Sequence, residues 1–140
     1  MSGRAEYLLD TNVLSETRKK QPDERVIAFL SAADPSTIYI SVLTLGELRK
    51  GVALKQRTDP VAARLLAGWV DGLEFSFADR ILGIDAATAR LWGEWSAQRP
   101  RPVVDTLLAA TAVSRKMTLV TRNIGDVKDL KVAMLDPWKG

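Results

Sequence analysis

The chain has 140 residues, 46% hydrophobic and 26% charged, a composition that predicts one soluble globular domain spanning 1–140. It contains no cysteine and no histidine, which excludes disulfide frameworks, thiol nucleophiles, zinc fingers and every mechanism with imidazole as its base. Twenty basic against seventeen acidic residues leave +3, which permits an anionic partner without demanding one.

Met1 to Ala5 lead straight into Tyr7-Leu8-Leu9 and then Asp10, too short an apolar run for a signal peptide. No stretch approaches the ~20 apolar residues of a membrane span. A cytoplasmic protein is the expectation, and the missing cysteines agree with it. Glu6 to Asp10 reads as a short strand and Thr11 to Arg18 as a first helical segment. Pro22, as a first-turn proline, opens a helix with Val26, Phe29, Leu30 and Ala33 at helical spacing. Asp34-Pro35-Ser36 is a turn, and Thr37 to Ile40 a strand rich in β-branched residues. Ser41 can cap the next helix, whose apolar face runs through Leu45, Leu48 and Val52.

Asp59-Pro60 is a cap and first-turn proline for a helix with Val61, Leu65, Leu66 and Trp69 on one side. Arg80 to Ile84 is a strand, and Asp85 caps a helix carrying Ala89, Trp92 and Ser96. Pro100-Arg101-Pro102 breaks the chain before a helix from Val104 to Lys116. Thr118 to Thr121 is a strand, Asn123 to Asp129 a turn or short helix, and Val132 to Leu135 a last strand. The alternation predicts a layered α/β fold with a mostly parallel central sheet flanked by helices. In such sheets ligands bind beyond the carboxyl ends of the strands, where strand order reverses.

Four carboxylates stand where this topology puts strand ends. Asp10 closes the first strand, Glu47 lies one to two turns into the helix after the second, Asp105 opens a nearly all-apolar helix, and Asp126 follows the strand Leu119-Val120-Thr121. Each has a plain structural alternative: Asp10 and Asp105 as helix caps or first-turn acids, Glu47 as a surface glutamate, Asp126 as a loop residue. Asp129 competes with Asp126 for the same role. Four acids gathered at one edge cannot all stay ionised without a cation. Hard oxygen ligands suit Mg²⁺ or Mn²⁺, which can activate water and polarise a phosphoryl group.

The segments Leu-Leu-Asp-Thr-Asn-Val-Leu-Ser-Glu at 8–16, Thr-Leu-Gly-Glu-Leu-Arg-Lys-Gly at 44–51, Val-Asp-Thr-Leu-Leu-Ala-Ala-Thr-Ala at 104–112 and Leu-Val-Thr-Arg-Asn at 119–123 resemble the PIN domain. The branch they resemble is that of the VapC and FitB toxin ribonucleases of bacterial toxin–antitoxin pairs. The resemblance runs over essentially the whole chain, including Asp136-Pro137-Trp138. It implies a PIN-like fold, a Mg²⁺- or Mn²⁺-dependent endoribonuclease, a cognate antitoxin and a homodimer. The family's acids fall on Asp10, Glu47, Asp105 and Asp126, with Asp10 and Asp105 as the principal metal ligands. The last motif departs in one place: Val127 stands where an aromatic usually follows the aspartate.

Thr11, Asn12, Thr121 and Asn123 can orient waters at such a site or act as caps. Arg49, Lys50 and Arg122 are candidate RNA-binding residues, and Arg18-Lys19-Lys20, Arg99 and Arg101 could track the same backbone. Trp69, Trp92, Trp95 and Trp138 could stack bases, but their spacing reads as packing. Two other functions fit the strand-end acids. A haloacid-dehalogenase-type phosphatase also uses a strand-end aspartate but wants an acid two residues on, where this chain has Asn12. A non-catalytic module binding nucleic acid or protein through the same rim is the other.

Overall fold

A computed structural model describes residues 4–139. The elements are β1 (Tyr7–Leu9), α1 (Thr11–Glu16), α2 (Glu24–Ala32), β2 (Ile38–Ser41), α3 (Val42–Gln56), α4 (Pro60–Ser76), β3 (Ile81–Leu82), α5 (Ala86–Gln98), α6 (Val103–Ser114), β4 (Thr118–Val120) and β5 (Met134–Leu135). Short 3-10 turns occupy Pro35–Thr37, Ile124–Asp126 and Pro137–Lys139. The strands form one sheet in the order β3-β2-β1-β4-β5, and every pairing is parallel. Order reverses beside β1: the chain moves outward through β2 and β3, then returns to lay β4 on the other flank.

Side-chain alternation builds a core on each face of the sheet. Leu8 and Leu119 join Leu108, Ala109, Ala112, Trp95 and Val127 on the α5–α6 side. Their neighbours Leu9 and Val120 join Val13, Val26, Leu48, Val70 and Trp138 on the other. Among the described residues no helix is long and apolar enough to cross a membrane.

β1, β3, β4 and β5 are shorter than predicted, whereas β2 keeps its length and is shifted by one residue, with Thr37 in the 3-10 turn and Ser41 in the strand. Asp10 thus lies just beyond β1, although its N–H still donates to the Val120 carbonyl at 2.9 Å. Pro22 precedes the α2 cap and is not in the first turn; Asp23 is the cap, accepting from Arg25 N at 2.8 Å. The α4 face is rotated from the one read in the sequence. Val61 and Leu65 are 60% and 67% exposed, and Ala63 and Val70 are buried with Leu66, Trp69 and Leu73 half-buried. Packing of α4 against α3 selected that stripe over the more hydrophobic one. In α5 the buried line is Thr88, Leu91, Trp92 and Trp95, and Ala89 is exposed. A threonine holds the inner position because its hydroxyl bonds Ser114 of α6 at 2.7 Å.

Helix α6 stops at Ser114, two residues early, in a left-handed turn. Lys116 has φ 59°, with Lys116 N bonded to Val113 O at 3.1 Å and Met117 N to Ala112 O at 2.8 Å. That six-to-one bond closes the helix end as glycine usually does, at a steric cost that lysine carries.

The loop from β4 to β5 carries Asp126 and has little backbone structure of its own. Two anchors hold it: Val127, buried in the core, and Asp129. Arg101 donates from Nη1 and Nη2 to the two Asp129 oxygens at 3.1 and 3.0 Å, and Arg99 adds a bond of 3.0 Å. These hydrogen bonds hold the Asp129 carboxyl far below the usual carboxylate range. The Arg101 side chain is 1% exposed and also donates from Nε to the Trp95 carbonyl.

Substituting Lys116→Gly should raise stability by about 0.5–1 kcal/mol, measured by urea unfolding, because glycine adopts φ > 0 freely. Asp129→Ala should lower Tm by roughly 5 °C, since it strands a buried guanidinium. Hydrogen exchange should then quicken across residues 122–133 and not in β4.

Candidate active site

The candidate site lies where strand order reverses, between the carboxyl ends of β1 and β4. Asp10 leaves β1 with extended backbone and becomes the N-cap of α1. One carboxylate oxygen accepts from Thr11 N at 2.6 Å, and the other from the Thr121 hydroxyl at 2.7 Å. That hydroxyl in turn accepts from Asn123 N at 3.0 Å. Asp10 is 5% exposed, so burial pushes its carboxyl above the usual value; the two hydrogen bonds pull back and Glu47 adds repulsion.

Asp105 stands opposite, in the first turn of α6. It shares a narrow cleft with Asp10, Leu108, Leu119, Thr121, Asn123 and Val127. Its carboxyl is also pushed up, first by burial, then by the charges of Asp10, Asp126 and Glu47 and a hydrogen bond to Asp126. The fold therefore brings all four predicted acids into one electrostatic neighbourhood. Glu47 is more exposed and is held through α1, accepting at Oε1 from the Thr11 hydroxyl at 2.6 Å. Asp126, in the 3-10 turn, faces this group, whereas Asp129 is engaged by Arg99 and Arg101.

Of the supporting residues, Thr11, Thr121 and Asn123 touch or line the cluster. Asn12 instead lines a separate cleft with Ser15, Glu16, Lys19, Arg122 and Trp138. The basic residues disperse. Arg49 is bound by Asp71 at 2.6 Å and Glu74 at 2.7 Å, which ties α3 to α4 and turns it from the predicted RNA-binding role. Lys50 is exposed on α3. Arg122 lies over the Trp138 ring at 4.3 Å, and Arg18 over Trp69 at 5.3 Å. Trp95 and Trp138 are buried and Trp69 and Trp92 half-buried, as packing residues should be.

Sequence reading missed Glu16. It is 4% exposed, accepts from Asp23 N at 2.9 Å and pairs with Lys19 at 2.8 Å, which lowers its pKa. Its spacing of three from buried Val13 was the available signal.

The donor chemistry fits a hard divalent cation. Two carboxyls, each pushed above its usual value chiefly by burial, line one cleft with no cationic side chain in its lining. Among the described residues no three carboxylates form a ready-made metal cage. Such a site matches an ion that takes one or two carboxylates and completes its shell with water and substrate oxygens.

The PIN domain model matches residues 7–129. The toxin FitB of Neisseria gonorrhoeae is 34% identical over 139 residues, covering 94% of this chain and 97% of its own length. The VapC ribonuclease Y4jK of Sinorhizobium fredii is 32% identical, with 94% and 97% covered. The crystal structure of FitAcB from Neisseria gonorrhoeae superposes with a TM-score of 0.85 at 33% identity, over 94% of this chain and 98% of that one. Parallel sheet order, acids at the reversal point and full-length likeness agree: the chain belongs to the PIN domain family, in the branch of the FitB and VapC toxins.

Proposed function

We propose that this protein is the toxin of a toxin–antitoxin pair and an endoribonuclease that hydrolyses RNA phosphodiesters at the Asp10–Asp105 cleft. The observation that carries this reading is the facing pair of raised carboxyls at the switch point, one of them locked by Thr121. Asp10 and Asp105 would hold Mg²⁺ or Mn²⁺, with Glu47 and Asp126 completing the cluster. The ion supplies positive charge that neutralises the carboxylates and polarises the scissile phosphate.

The chain's own groups do the rest. Thr11 N and Thr121 fix Asp10 in one orientation, so its binding geometry is set before substrate arrives. Leu108, Leu119 and Val127 wall the cleft and lower its local dielectric, which strengthens every charge interaction inside. Thr11 holds Glu47 by Oε1, which leaves Oε2 to take the proton of the attacking water. As the new P–O bond forms, the bond to the leaving oxygen breaks, and that oxygen takes a proton from solvent.

The FitB relative supports a cognate antitoxin as partner. The likeness to the FitAcB structure supports a homodimer. RNA as substrate and a chain without cysteine support a cytoplasmic site of action.

Asp105→Asn should cut cleavage of total cellular RNA by more than about 100-fold, while wild-type-like activity would remove Asp105 from the mechanism. Its stability should not fall. A carboxyl raised in the folded state releases its proton in the unfolded chain at lower pH, so it costs stability as pH climbs through the unfolded value, fully so above the folded one. The Asn variant lacks that cost, so its Tm should exceed wild type near neutrality and converge with it in acid.

The same protons must leave when an ion binds. Mn²⁺ affinity, followed by electron paramagnetic resonance, should strengthen as pH rises above the ordinary carboxylate range, because both carboxyls are raised. A pH-independent affinity would argue against these carboxyls as ligands.

A further inference from the structure

The arginines divide by what holds their guanidinium groups. Arg4, Arg25, Arg49, Arg80 and Arg115 each lie within ion-pair distance of an aspartate, and Arg99 and Arg101 share Asp129. Arg18 and Arg122 differ: neither pairs with a carboxylate, and each lies over an indole, Trp69 and Trp138 respectively. Stacking orients a planar cation while leaving its in-plane N–H donors unspent. Both arginines are exposed. Two pre-oriented forks without acceptors are an arrangement that awaits an anion.

Their placement is equally specific. Two clefts flank α1. One, of about 290 Å³, is lined by Thr11, Ser15, Arg18, Glu47 and Trp69 among others. The other, of about 190 Å³, is lined by Asn12, Ser15, Lys19, Arg122 and Trp138 beside Glu16. Both clefts are lined by residues of α1, which Asp10 caps, and Glu47 of the acidic cluster lines the first of them beside Arg18. In the second cleft Glu16 and Lys19 neutralise each other, which leaves the Arg122 charge in excess.

We infer that Arg18 and Arg122 are paired phosphate-binding arms that grip single-stranded RNA on either side of the scissile bond; this rests on the ribonuclease reading above. Acids set beside the cationic arms, Glu47 in the first cleft and Asp10 at the start of α1, turn away a continuous acidic surface. A polynucleotide, with charges at separated points, can place one phosphate on each arm. Clefts this small take a phosphate and its sugar, and only a single strand is flexible enough to bend around α1 into both. Arg18 and Arg122 are thus substrate-positioning residues, and their indoles set the angle of each fork.

The test is fluorescence anisotropy of a labelled mixed-sequence RNA of about 12 nucleotides in EDTA, where binding is read without cleavage. Arg18→Ala and Arg122→Ala should each weaken binding about tenfold. Each should also lower the slope of log Kd against log salt by about 0.7, and the double variant by about twice that. Arg18→Lys and Arg122→Lys should keep the salt slope and still lose affinity, because lysine lacks the stacked fork. Arg64→Ala, which removes an exposed arginine held by no ring, should bind as wild type. Equal losses from Arg64→Ala would reduce the effect to general surface charge and overturn the arms. Unchanged RNA affinity in the double variant would overturn them while leaving the ribonuclease reading intact. If that double variant instead lost affinity for the antitoxin, the forks would belong to a protein interface. A duplex of the same sequence binding as tightly would overturn the single-strand requirement. Wild-type protein that binds no RNA in EDTA would overturn the arms, and the cleavage assay with Asp105→Asn judges the ribonuclease reading separately.

Discussion

The buried hydrogen bond from the Thr121 hydroxyl to Asp10, at 2.7 Å, is the constraint on which the site depends. It joins residues 111 positions apart, at the place where the sheet reverses its order. A lone buried carboxylate would neutralise itself by taking a proton. Asp10 is spared full neutralisation by two donors, and each belongs to a different piece of the fold. Thr11 N is there because α1 begins at once after β1, and Thr121 is there because β4 pairs with β1 in register, Leu9 against Val120. The same carboxylate that caps α1 also lines the cleft, so capping a helix does not withdraw it from the site.

Two sets of aspartates are shifted in opposite directions by their surroundings. Asp23, Asp34, Asp85 and Asp129 are lowered by hydrogen bonds from backbone amides or guanidinium groups, and they hold helices and loops in place. Asp10 and Asp105 are raised, because burial and mutual repulsion outweigh the donors they have. The first population stabilises the fold in the ionised state. The second costs stability when it ionises, and both of its members line one cleft. Arg101 links the two: by gripping Asp129 it anchors the loop of Asp126 to the segment that launches α6 and Asp105.

Element order and the positions of the acids were legible because they depend on short-range chemistry. Asp59-Pro60, Ser41 and Asp85 are helix-start signals that act within three residues, and all three cap as read. The apolar faces of α4 and α5 were misread because helical periodicity offers several stripes. Val61 and Leu65 are more hydrophobic than Ala63, yet α3 approaches closely enough that the small residue is the one inside. The stop at Ser114 was missed for a related reason: Lys116 carries no glycine-like mark, and the turn to β4 imposes its left-handed backbone.

By itself the sequence determined the alternation of strands and helices, the absence of imidazole and thiol chemistry, and the four acids at strand ends. These follow from periodicity, capping and composition, each readable within a few residues. Tertiary structure alone decided which charges remain available. Asp126 and Asp129 are three residues apart and chemically identical, but Arg99 and Arg101, about 30 positions away, bond the carboxylate of the second, and Arg99 reaches only the backbone carbonyl of the first. Arg49 and Arg122 look alike as cations in the chain; one meets Asp71 and Glu74 across a helix pair, and the other meets an indole. A side chain's type states what it can bind, and only the packing of distant segments states whether that capacity is already spent.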